Sequence, residues 1–213
     1  MITNKEIIKF LTSTTINASF VDKLKIKYRP IICPFNTLLN YAAENTSVFD
    51  IGCGSGQFCA LVAKCTPVKK IMGIEISQRL IDNANIVNKQ FSNKELKFEV
   101  FDGKNIPEKI NEYDLVYMID VYHHIPKNYQ AQFMKNVYEK MKPGSKLIFK
   151  DINAGHPFVY FNKLHDIVFA GEIGNEMSAK AAKELLQSCG FKIVEEYKKT
   201  SFVYPHYFTI CQK

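Results

Sequence analysis

From Ser47 onward, short β-forming runs alternate with helical patterns, and this rhythm restricts the fold more than any other feature of the sequence. The runs are VFDI, KIMGIEI, LKFEVF, YDLVYMI, KLIFKDI, FKIVEEY and YFTICQ. Between them, apolar residues recur at three- and four-residue spacing: Phe58, Leu61 and Val62; Leu80, Ile81, Ala84 and Val87; Phe133, Val137 and Met141. A further helix runs from Ser178 to the stop at Gly190. Strands alternating with helices predict an α/β fold, with seven strands in a mostly parallel sheet and helices on both faces. Two regions fall outside the alternation. Residues 1–46 read as an N-terminal helical extension or cap, and residues 152–177 as an aromatic-rich insertion within a domain spanning 47–213. Insertions at the carboxyl edge of such a sheet frame the active site.

The chain has 213 residues, 46% hydrophobic and 23% charged, which suits one soluble domain. No apolar run approaches the roughly 20 residues of a membrane span, and the first twenty residues lack the apolar core of a signal peptide, so the cytoplasm is the expected location. The six cysteines form no C-x-x-C pair, which argues against a zinc site and a disulfide framework. The net charge is +7, but only Arg29 and Arg79 are arginines. A lysine-dominated excess reads as a solvated surface rather than a nucleic-acid footprint. The basic cluster FVDKLKIKYRP leaves an RNA partner as the minority reading.

The first β-forming run breaks into a loop, VFDIGCGSGQF, with Gly52, Gly54 and Gly56 at alternate positions. Glycine lets a ligand approach bare backbone, so the loop has the makings of a cradle. A triphosphate loop would need a Gly-Lys-Ser/Thr ending, and none follows. A dinucleotide loop would need its third glycine one position later, where Gln57 stands. What remains is a nucleoside-containing ligand that meets the loop with something other than pyrophosphate.

Four motifs in order, FDIGCGSG, GIEIS, FDG and YDLVYMIDVYHHIP, followed by MKPGSKLIFKDIN, resemble the class I S-adenosylmethionine-dependent methyltransferases from about Phe35 onward. The resemblance implies a Rossmann-like sheet that binds S-adenosylmethionine, releases S-adenosylhomocysteine and uses no metal. It implies Asp50, Gly52, Gly54 and Gly56 as the cofactor loop and Glu75 as acceptor of the ribose hydroxyls. Asp102 and Gly103 would lie at the adenine, with Ile76 and Ile106 on the ring faces. Asp120 would take the ammonium group, and Arg29, next to Tyr28, the carboxylate. Asp50 either touches the ligand or braces the loop through backbone N–H groups, and the sequence leaves both open.

Methyl transfer to an acceptor that carries a proton needs a base. Candidates gather after the fourth and fifth strands: His123, His124, Asp151, His156, His165, Asp166 and His206. His124 and His123 are the expected catalytic residues, since imidazole titrates near neutral pH. Pro157 starts a helix in the insertion, with Phe158, Phe161, Leu164 and Val168 at helical spacing. With Tyr204, Tyr207 and Phe208 these side chains are expected to wall an apolar acceptor pocket. The Pro-Pro motif of base-amino methyltransferases, the paired glutamates of protein arginine methyltransferases and the paired catalytic cysteines of RNA cytosine-C5 enzymes are all missing. These absences favour a small-molecule or lipid-like acceptor, methylated on oxygen or carbon; the alternatives are an RNA or protein methyltransferase using the basic N-terminal surface, and a module that binds S-adenosylmethionine without turnover.

Overall fold

The computed structural model describes residues 2–14, 28–42, 47–169 and 173–213. The seven strands are β1 (Ser47–Ile51), β2 (Lys70–Glu75), β3 (Glu95–Val100), β4 (Leu115–Ile119), β5 (Lys146–Ile152), β6 (Lys192–Ser201) and β7 (Tyr204–Gln212). The helices are α1 (Asn4–Thr14), α2 (Phe35–Ala42), α3 (Gln57–Cys65), α4 (Gln78–Asn88), α5 (Gln130–Lys140), α6 (Val159–Phe169) and α7 (Ala179–Ser188). The strands form one sheet in the order β3-β2-β1-β4-β5-β7-β6. The α/β class and the mostly parallel seven-stranded sheet expected from the sequence are thus present. The chain divides into two compact units, Met1–Asp102 and Gly103–Lys213.

In the first unit β1 pairs in parallel with β2, and β2 with β3. Parallel neighbours need a crossover, and α3 and α4 supply the two. Every residue of β1 is buried, the signature of a strand covered on both faces. At the outer strand β3 the pattern alternates, with Leu96 and Phe98 buried and Glu95 and Lys97 exposed. The Phe35 and Phe58 rings stack 5.5 Å apart and hold α2 on α3.

In the second unit β4 pairs in parallel with β5 through the α5 crossover, while β7 runs antiparallel to both β5 and β6. Tyr117, Phe149, Tyr207 and Phe208 are among its fully buried side chains. β6 is the edge strand, and five of its ten residues, Lys192, Glu195, Glu196, Lys198 and Lys199, are charged and exposed. Charge along an open edge resists pairing with other chains. Among the described residues, no helix is long and apolar enough to cross a membrane.

Candidate functional site

In the first unit the loop after β1 bends back over β2, with Gly52 N and Cys53 N both donating to Ile74 O at 2.8 and 3.0 Å. Its glycines divide the work. At Gly56 (φ 74°) a Cβ would lie 2.8 Å from the Phe98 ring and 2.9 Å from the Ala84 Cβ, so this glycine lets the loop and α3 seat against α4 and β3. At Gly54 (φ 55°) a Cβ would meet nothing within 4 Å. The backbone there is bare and open, which is the cradle expected of a ligand loop.

Glu75, at the end of β2, closes the other side of the cradle. Its Oε2 accepts from Gly54 N at 3.1 Å, and its Oε1 accepts from Ile76 N at 2.9 Å and Ser77 N at 3.2 Å. A carboxylate offers about four lone-pair sites, so one on Oε2 is still open. Gln57, the first residue of α3, buries its Oε1 without a hydrogen-bond donor among the described residues. That orphaned acceptor beside the loop was not singled out from the sequence. Its only signal was its place at a helix start directly after the third glycine. The open Gly54 backbone, the acceptor capacity of Glu75 and the unsatisfied Gln57 oxygen together fit a nucleoside ligand that carries donor groups. Ile76 is 63% exposed and able to cover an apolar ring.

Asp50 is buried beneath the loop and accepts a hydrogen bond from the Cys59 thiol at 3.3 Å. Burial pushes its carboxyl up to about 7, against the opposing pull of the Cys59 thiol and Arg29. Burial likewise holds Cys59 well above the usual thiol range, so it remains a donor. Between about pH 4 and pH 7 the folded state keeps a proton that the unfolded chain has shed. The stability tied to the neutral Asp50 is therefore fully present below pH 4 and lost as pH rises through 7. Asp50→Asn, neutral at all pH, is expected to be more stable than the native protein at pH 8 by on the order of 4 kcal/mol, and close to it at pH 4. Denaturant unfolding at the two pH values checks this, and equal shifts at both would refute it. Tyr28 and Arg29 lie in a helical turn spanning 28–32 and are exposed.

Asp102, the last residue of the first unit, is exposed. In the second unit Gly103 has φ 78° and Ile106 is wholly enclosed, leaving it no free face for a ring. Asp120 follows β4 with φ 54°, and the fully buried Lys150 ammonium donates to both of its carboxylate oxygens at 2.5 and 2.6 Å. His123 and His124 form a 3-10 turn with Tyr122. His123 is buried, its Nδ1 lies 2.5 Å from Asp151 Oδ1, and its backbone N donates to Asp151 Oδ2 at 3.1 Å. Ile152 N donates to the same carboxylate at 2.7 Å. His124 is exposed, its ring centroid 4.0 Å from that of His123.

The other histidines are dispersed in role. His156 Nδ1 accepts from Phe158 N at 3.2 Å, and His206 is buried in β7. The side chains of His165 and Asp166 lie outside the described residues. Tyr207 and Phe208, expected on a pocket wall, are core side chains. Phe208 stacks on Tyr197 at 4.6 Å, and the Tyr207 hydroxyl is buried without a hydrogen-bond partner among the described residues. Among the described residues there is also no group of three or more His, Cys, Asp or Glu side chains placed to hold a metal ion.

The sequence matches a methyltransferase domain family over residues 26–196. The chain belongs to that family. Its sheet is that of a class I S-adenosylmethionine-dependent methyltransferase. The methyltransferase is similar to the ubiquinone biosynthesis O-methyltransferase of Coxiella burnetii, 29% identical over 107 residues, which are 50% of this chain and 43% of that protein. It is also similar to a tRNA (guanine-N(7)-)-methyltransferase of Prochlorococcus marinus, 28% identical over 127 residues, 53% of this chain and 61% of that one. It therefore spans about half the length of the curated relatives it matches. In structure it resembles the magnesium protoporphyrin IX methyltransferase of Synechocystis with bound S-adenosylhomocysteine, with a TM-score of 0.70 and 16% identity over 92% of this chain and 89% of that chain.

Proposed function

We propose that this methyltransferase transfers the methyl group of S-adenosylmethionine to oxygen or carbon of a small, partly apolar acceptor, with His124 as the base. The cofactor supplies a methyl carbon already made electrophilic by its sulfonium, so the protein has to position the acceptor and remove its proton. Gly54, Gln57, Glu75 and Ile76 are the residues of the first unit that would hold the nucleoside portion.

The observation that carries the base assignment is the contrast within the histidine pair. Both ring and backbone of His123 are engaged by Asp151, which fastens the turn to the end of β5. His123 is therefore a positioning residue in this reading. His124 sits on that fastened turn with its ring exposed and in contact with the His123 ring. An imidazole that is held in place yet accessible suits proton removal from a hydroxyl or phenol near neutral pH. The likeness to an O-methyltransferase supports an oxygen acceptor.

His124→Ala is expected to lower turnover by about 100-fold with cofactor affinity unchanged, and the loss should shrink at high pH where the acceptor ionises unaided. Turnover with labelled S-adenosylmethionine across phenols, hydroxy acids and lipid precursors, at several pH values, is the measurement. A pH-independent loss would deny His124 the role of base. The likeness to a tRNA methyltransferase and the net charge of +7 favour RNA as the second reading. RNA methylated much faster than every small acceptor would establish that reading instead.

A further inference from the structure

Helix α6 turns an apolar face outward. Tyr160, Phe161, Leu164, Ile167 and Val168 recur at the spacing of a single helix face, and they are 74, 50, 61, 49 and 64% exposed. Of the described side chains turned to the protein, Val159 is apolar, and Asn162 and the half-buried Lys163 are polar. Asn162 is buried and donates to Glu176 Oε1 at 3.2 Å, while Lys163 Nζ donates to Glu176 Oε2 at 2.7 Å and to Gly174 O at 3.2 Å. α6 packs on β7, and the turn leading into β7 carries Phe202. Phe202 has φ 58° and is 79% exposed. A bulky residue is strained in that conformation, and a ring so exposed returns little packing to the fold.

We infer that the outward face of α6 and the Phe202 turn form a surface that docks on an anionic lipid bilayer. Large apolar side chains exposed together on one helix face mark an interaction site. Its chemistry selects a membrane interface over a second copy of the chain. Aromatic and aliphatic side chains on a helix lying flat, together with a projecting ring, enter the headgroup region without needing a matching concavity on the other side. The chain carries +7, so two copies repel while an anionic surface attracts. Lys198, exposed and without an ion pair among the described residues, lies on β6 four residues before Phe202. The inference does not depend on which acceptor is methylated.

The test uses the full chain and sedimentation with vesicles of phosphatidylcholine alone or mixed with phosphatidylglycerol. The native protein should bind the mixed vesicles, more weakly as salt rises, and a Tyr160→Ser/Ile167→Ser/Phe202→Asn variant should partition about tenfold less. Phe202→Asn alone removes the strained ring in favour of a residue that tolerates the left-handed region, so it should weaken vesicle binding without lowering the melting temperature. S-adenosylhomocysteine binding, measured in every variant, reports an intact fold and separates this question from the proposed function. The inference is overturned if the native protein ignores both vesicle types, or if the variants bind as well as the native protein. It is equally overturned if light scattering shows a native dimer that the triple substitution dissociates while vesicle binding is absent.

Discussion

Asp120→Asn is expected to destabilise the protein by about 3 to 5 kcal/mol, because it strands the Lys150 ammonium in the core. The Lys150 side chain is 0% exposed and Asp120 18%, so the two halves of the pair are not equivalent. Lys150→Met leaves a carboxylate with some access to water, and its cost should be the smaller of the two. The pair is joined twice, since Asp120 N also donates to Lys150 O at 2.9 Å. The double variant Asp120→Asn/Lys150→Met removes both charges and should recover most of the loss, as replacement of a buried ion pair by apolar groups is often neutral. Denaturant unfolding of the three variants completes the cycle. A loss below about 1 kcal/mol in Asp120→Asn would mean that the ammonium finds another partner or water. The pairing also bears on function. The cofactor's ammonium group, expected at Asp120, would have to share this aspartate with the buried lysine, which also helps hold the left-handed turn leading to the histidines.

That pairing illustrates which parts of the molecule were legible in the sequence. KLIFKDI reads as a strand because four of its seven residues, Leu147, Ile148, Phe149 and Ile152, are apolar, and β5 forms there. Nothing in the run says that Lys150 points into the core, since its partner is 30 residues away and meets it only through the β4–β5 pairing. The glycine loop was legible in spacing but not in duty. Three identical residues at alternate positions give no hint that Gly56 answers to Phe98 and Ala84 while Gly54 faces open space. α6 shows the limit of periodicity. Phe161, Leu164 and Val168 define a face, but which way that face turns was decided by Glu176, reaching back to Asn162 and Lys163 from beyond the helix. Local pattern specifies elements, and contacts between distant residues specify their orientation.

Glu75→Ala is expected to lose about 2 to 4 kcal/mol of affinity for S-adenosylhomocysteine, since hydrogen bonds to a charged acceptor are the stronger kind. Two roles converge on this side chain. Its oxygens already hold the loop through Gly54 N, Ile76 N and Ser77 N, and in the proposed site the position still open on Oε2 also receives a ribose hydroxyl. The brace alone would make the alanine variant weaker toward any ligand of the loop, by roughly 1 kcal/mol for each lost hydrogen bond. Ribose recognition predicts something narrower. The native protein should discriminate strongly between S-adenosylhomocysteine and its analogue lacking both ribose hydroxyls, and the alanine variant should hardly discriminate at all. Glu75→Gln keeps one carbonyl oxygen and the side-chain volume but turns the other oxygen into a donor facing N–H groups, so its loss should fall between the two. Calorimetry with both ligands on the three proteins separates the roles. Equal losses for the two ligands would assign Glu75 to the loop alone, and native affinity in a folded alanine variant would remove it from the cofactor site.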